Sequence, residues 1–188
     1  MTCRKKRTNA FAASARGMKS PRTLTACAML LALGVVLDSF CSFYATPTLK
    51  VSFTFLPIGI TGYLFGPVPA MLSGGLLDVV MWLVKPAGAY FPGYTLSGVL
   101  GGLIYGICLY GIQGKRLYYM PAVAKGLING LVNILLNTCW SVIFTGKGYL
   151  ALLSVRTVKN LVLLPAEALL LTAVILFLKR SPLFKNIK

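Results

Sequence analysis

Six apolar segments separated by short polar or basic connections leave few folds open to this chain. They run over about residues 24–43, 51–65, 68–84, 95–112, 121–144 and 150–178. Within the hydrocarbon core of a bilayer every backbone amide must find its partner inside the protein, so only helices and closed barrels cross it. Segments of this length suit helices, which need about 20 residues to span, and not barrel strands, which need about 10. With 188 residues, 57% of them hydrophobic, the chain reads as an all-α integral membrane protein built as a six-transmembrane-helix bundle. The second segment is short for a full span, so it is expected to be tilted or only partly inserted. Residues 23–180 form the membrane domain, preceded by a basic, disordered tail over 1–22 and followed by a short basic tail over 181–188.

Nineteen Lys and Arg against three acids give a net charge of +16, with no His. Such a balance can indicate nucleic acid, but here the cations lie in tails and loops between apolar spans, which points to anionic lipid headgroups and no nucleic acid. The N-terminal tail, the Lys115–Arg116 loop and the Lys179–Arg180 end fall on one side of a six-span bundle. The positive-inside rule makes that side, and hence both termini, cytoplasmic. The outer side then carries Lys50, Lys85, Lys147, Arg156 and Lys159 with no acid in its loops, against the usual bias. A ligand bearing negative charge and arriving from outside accounts for that. Arg156 and Lys159 lie three apart on a helix within the membrane, where an ionisable pair is a functional-site hypothesis by default.

Asn129, Asn133 and Asn137 repeat every four residues inside the fifth segment, with Trp140 just beyond. That spacing puts the three amides on one helical face, drifting about 40° per step. Such a face turns to the bundle interior or to a cavity. It either glues helices together, for about 0.6–2 kcal/mol per contact, or lines a site for a polar, planar molecule whose edge both donates and accepts hydrogen bonds. Three amides beside a Trp favour the cavity. From Asn129 to Trp140 is about 16 Å along a helix, the length of an elongated ligand.

Gly98, Gly102 and Gly106 in the fourth segment, and Ala28 and Ala32 in the first, repeat at small-xxx-small spacing. Such stripes let helices approach closely, most simply within the bundle. Residues 83–98 hold two prolines and three glycines and present Tyr90, Phe91 and Tyr94, either as an interfacial belt or as the wall of a site. The five cysteines form no CxxC pair and read as packing residues. GIQGK (111–115) and TGKGY (145–149) fail the spacing of a phosphate loop, and neither HExxH nor a nucleophile elbow occurs. Asp38, Asp78 and Glu167 are the three carboxylates. The chain is not expected to be an enzyme, to hydrolyse ATP, or to hold a metal or cofactor.

Three stretches resemble the folate-specific S component of energy-coupling factor (ECF) vitamin transporters. They are TPTLKVSFTFLPIGITGYLFGP (46–67), YFPGYTLSGVLGGLIYG (90–106) and LLNTCW with RTVKNLVLLPAE (135–140, 156–167). The likeness extends over about residues 24–178. It implies a six-helix membrane bundle in a prokaryotic plasma membrane, with a vitamin site opening outward under the first, third and fifth loops. It also implies a coupling subunit and two ATPase subunits as partners, toppling of the S component during uptake, and contact of Ala28 and Ala32 with the coupling subunit. One stretch departs from the pattern: Ser39 stands in Leu37–Phe40 where family members often carry Arg, and Asp38 lies beside it. A reduced folate or a smaller pterin is therefore also open as ligand, as is another vitamin such as riboflavin or a thiamin precursor. A standalone channel or membrane enzyme is the distant alternative.

Folate joins a flat pterin to an aminobenzoyl bridge and an anionic glutamate. On the resemblance, Asn133 and Asn137, with Asn129 on the same stripe and Asp78 opposite, are expected to bind the pterin edge. Trp140, Phe91 or Tyr94 would stack on its face, Arg156 and Lys159 would meet a carboxylate or the polar edge, and Lys147 would steer the glutamate.

Overall fold

Proline starts three of the six bundle helices, where its fixed φ suits the first turn and its missing N–H costs nothing. The computed structural model describes residues 11–46, 49–86, 90–112, 114–145 and 149–180. Helix α1 is Pro21–Phe40, α2 Phe55–Phe65, α3 Pro67–Val84 and α4 Pro92–Leu109. Helix α5 is one rod in three parts: Arg116–Leu127, a π-helical stretch over Ile128–Leu136, and Asn137–Thr145. Helix α6 is Tyr149–Arg180. Between α1 and α2 lies a small antiparallel hairpin, β1 (Phe43–Thr46) with β2 (Leu49–Val51), pairing Phe43 with Val51 and Tyr44 with Lys50.

The six expected segments are thus six helices, with two corrections. The first helix stops sooner and the second starts later than expected, because strands β1 and β2 lie between them. The fifth is not a regular α-helix, because its middle is wound more widely. Among the described residues five helical stretches are long and apolar enough to cross a membrane, and α2 is too short. Its 11 residues rise about 16 Å, roughly half a hydrocarbon core. Residues 59–67 are all buried, so α2 is wrapped by protein and not by lipid. Ile60, Tyr63, Leu64 and Phe65 pack there with Tyr105 and Leu109 of α4, Ile128 and Val132 of α5, and Leu171 and Ile175 of α6. Surrounded in this way, a short helix meets the requirement that irregular backbone at membrane depth be enclosed.

The tail expected as disordered over residues 1–22 is ordered in part. Residues 1–10 and 181–188 lie outside the described residues, but 11–17 are helical and Ser14 is buried. The Ser14 hydroxyl donates to the Phe65 carbonyl (2.7 Å) and accepts from the Val68 amide (3.2 Å). It therefore serves the last carbonyls of α2 and the first amides of α3, groups that a helix cannot satisfy itself. Gly66 alone links those helices at φ 91°, a conformation open to glycine.

The glycine stripe packs within the bundle, as expected. A Cβ on Gly102 would lie 2.1 Å from the Ala70 carbonyl oxygen, on Gly98 2.7 Å from that of Gly74, and on Gly106 2.2 Å from the Pro67 Cα. Backbone meets backbone along α3 and α4, fixing the two helices that carry Asp78 and Tyr94. The alanine stripe does the opposite: Ala28 and Ala32 are exposed, in line with Met29 and Val36 on the outer face of α1. Replacing Gly102 with Leu is expected to destabilise the bundle by about 1–3 kcal/mol or more. Gly101→Ala should be near neutral, since nothing lies within 4 Å of the added methyl. Thermal melting in detergent distinguishes the two.

Candidate ligand-binding site

A cavity of about 440 Å³ opens between α2, α3, α4, α5 and α6, within the size range of small-molecule sites. Non-helical Ser52 and Thr54 form part of its wall beside Phe55 and Ile58 of α2. Asp78 comes from α3, and Tyr94, Ser97 and Tyr105 come from α4. Helix α5 supplies Lys125, Asn133 and Asn137, and α6 supplies Arg156, Lys159, Asn160 and Glu167. Three cations and two carboxylates leave the lining with one net positive charge.

The deepest polar feature is an ion pair. Lys125 Nζ lies 3.3 Å from Glu167 Oε2, with both side chains largely buried, and 4.0 Å from the centre of the Phe55 ring. Two charges at this depth persist because each satisfies the other and the ring faces the ammonium. From the pair an amide ladder climbs α5. Asn129 Nδ2 donates to Glu167 Oε2 and to the Asn160 carbonyl, each at 3.4 Å. Asn133 Nδ2 donates to Asn129 Oδ1 (2.9 Å), and Asn137 Nδ2 to Asn133 Oδ1 (3.2 Å). The π-helical stretch begins just before Asn129 and ends just before Asn137, so the altered winding spans the ladder. Such stretches often mark functional sites. At the top, Asn137 Oδ1 is buried with no hydrogen-bond partner among the described residues, as is the Tyr105 hydroxyl in the same cavity.

Toward the hairpin end of the bundle, Ser141 ties three helices together. Arg156 Nη2 donates to its Oγ at 2.5 Å, and the Tyr94 hydroxyl lies 2.9 Å from it. Across the cavity Thr95 donates to Asp78 Oδ2 (2.7 Å). Its single proton being used there, Thr95 accepts from the Tyr90 hydroxyl at 2.6 Å. Asp38, near the C-terminal end of α1, is also buried and accepts from Ser52 at 2.6 Å, holding the segment after the hairpin over the cavity. The Ser42 hydroxyl donates to the Asp38 carbonyl. Lys85 Nζ donates to the Ser39 carbonyl (2.8 Å), where a cation suits the end of a helix.

Of the residues expected at the site, Asp78, Tyr94, Asn133, Asn137, Arg156 and Lys159 line the cavity. Asn129 does not; it stands behind Asn133 and is 2% exposed. Phe91 and Trp140 are also outside the lining and form an aromatic wall behind Tyr94. The Phe91 ring lies 5.9 Å from that of Tyr94 and 5.6 Å from that of Trp140, whose Nε1 donates to Ser97. A Cβ on Gly93 would lie 2.7 Å from the Trp140 ring, so the wall requires glycine there. Lys147 lies outside the described residues. Sequence reasoning passed over Lys125, Tyr105, Asn160, Ser52, Thr54 and Ser97. Lys125 was legible as an ionisable residue inside an apolar span, the same signal that Arg156 and Lys159 gave.

A membrane bundle enclosing a charged, amide-lined cavity defines a protein that holds a small polar molecule at membrane depth. The sequence pattern of the family described as ECF transporter, substrate-specific component, matches residues 22–175. The chain belongs to that family and is a multi-pass membrane component of a transporter, not an enzyme. It is 36% identical over 156 residues to a protein named folate transporter FolT from Clostridium novyi (strain NT), covering 82% of this chain and 88% of that one. A protein of the same name from Leuconostoc mesenteroides is 32% identical over 145 residues, covering 74% of this chain and 77% of the relative. Among solved structures, one described as FolT bound with folic acid matches with a TM-score of 0.75 at 30% identity, over 82% of this chain and 93% of that one.

Removing one partner of the ion pair strands the other. Lys125→Met is expected to cost about 3–5 kcal/mol, and a second change, Glu167→Leu, should restore most of that loss. A double-mutant cycle read by melting in detergent checks the coupling.

Proposed function

We propose that the chain captures folate, oxidised or reduced, from outside the cell and hands it to an ATP-driven complex. The observation that carries this reading is the match between the cavity and the ligand. Folate carries two carboxylates and a ring edge that donates and accepts, and the cavity offers a net positive charge with an amide ladder. Its similarity to proteins named folate transporters, and to a structure bound with folic acid, supports the same assignment.

In this reading Asn133, Asn137 and Asp78 hold the pterin edge and Tyr94 closes on its face, with Phe91 and Trp140 fixing Tyr94. Arg156 and Lys159 meet the anionic part, and Lys147 draws it in. Both termini lie in the cytoplasm of a prokaryotic cell, with the cavity mouth facing out. A coupling subunit docks on the exposed Ala28–Ala32 face of α1, where small residues allow close helix contact. Two ATPase subunits complete the complex. Ser39, where relatives often carry Arg, leaves the anion to the cations of α6.

Titration of detergent-purified protein with folic acid, followed through Trp fluorescence, is expected to saturate at nanomolar to low micromolar ligand without reversal by thiamin or riboflavin. Arg156→Ala should weaken binding by about 1.5–3 kcal/mol, the value of a hydrogen bond to a charged group. Unchanged affinity would remove Arg156 from the site, and displacement by another vitamin would reassign the ligand.

A further inference from the structure

Asn129 occupies a different position from the two amides above it. It is buried, does not line the cavity, and has every hydrogen-bonding group engaged by the protein. Both protons of its Nδ2 point at acceptors: the Glu167 carboxylate, paired with the Lys125 ammonium, and the backbone carbonyl of Asn160. Its amide therefore has one orientation, with Oδ1 toward Asn133. That oxygen takes a proton from Asn133 Nδ2, which turns Asn133 Oδ1 toward Asn137 and Asn137 Nδ2 back toward Asn133. The direction set at the bottom is passed up the ladder. It ends at Asn137 Oδ1, an acceptor in the cavity wall with no partner among the described residues.

We infer that Asn129 is a positioning residue that sets ligand specificity, by locking the ladder so that Asn137 presents an acceptor to the ligand edge. An isolated Asn can turn its amide over and exchange donor for acceptor, so it discriminates poorly between edges of opposite pattern. An amide held through two neighbours to a carboxylate cannot. A polar site with fixed groups rejects a mismatched partner strongly, because the mismatch leaves a buried group unpaired. The inference rests on the folate reading and names the ring feature required: an N–H donor facing Asn137, as the 4-oxo pterin supplies at N3.

The test compares folic acid with its 4-amino-4-deoxy analogue, in which N3 becomes an acceptor and the 4-position a donor, while the bridge and glutamate are unchanged. The wild-type chain is expected to bind folic acid at least tenfold more tightly than the analogue. Asn129→Leu, which touches no ligand but frees the ladder to turn, should bring the two affinities within about threefold of each other. The double variant Lys125→Gln/Glu167→Gln retains the Asn160 carbonyl as one lock and should give an intermediate ratio, deciding the matter should Asn129→Leu fail to fold. A merely structural role would lower both affinities together. An unchanged ratio in these variants, or no discrimination by the wild type, would overturn the inference while leaving folate binding in place. Failure of the wild type to bind folic acid at all would instead remove the folate reading and this inference with it.

Discussion

The Lys125–Glu167 pair is the constraint on which the interior of this bundle depends. Two opposite charges placed at membrane depth are tolerable only with near-complete satisfaction, and the structure supplies it from three directions. The ammonium has the carboxylate and the Phe55 ring, and the carboxylate has the ammonium and the Asn129 amide. Because Glu167 is on α6, Lys125 and Asn129 on α5 and Phe55 on α2, satisfying the pair fixes three helices around one point. The cavity lies above that point, and its polar wall is an extension of the same network.

The rest of the architecture encloses the cavity above that point. Helix α2 can be short because apolar residues of α4, α5 and α6 enclose it. Its shortness leaves room above it for Ser52 and Thr54, held by Asp38, at the edge of the cavity. The glycine contacts between α3 and α4 set Asp78 and Tyr94 at fixed places on the opposite wall. Rigid walls of this kind let a cavity select among ligands that differ by the position of one proton, which suits a protein whose task is capture and not conversion.

Much of this was legible in the sequence, and the reasons differ by element. The six segments follow from hydropathy because the bilayer enforces helices wherever apolar residues run long. The Asn stripe follows from a four-residue period that survives the change of winding between Ile128 and Leu136. The winding itself was hidden, since nothing in INGLVNILL distinguishes a wide turn from an ordinary one. The hairpin was missed because its β-branched and aromatic residues continue the hydropathy of the flanking helices. The role of Asn129 could not be read from spacing, because only the approach of Glu167 and Asn160 from α6 separates it from Asn133 and Asn137. The placement of Phe91 and Trp140 behind Tyr94 likewise depends on how α4 and α5 meet, which pattern alone does not encode.

The most direct test of this account is a structure of the protein with folic acid bound. The account predicts the pteridine ring against the α5 amides, with a ring N–H within about 3 Å of Asn137 Oδ1 and the Lys125–Glu167 pair intact beneath it. A ring lying outside the cavity, or glutamate carboxylates at the amide ladder with the pteridine near Arg156, would contradict it.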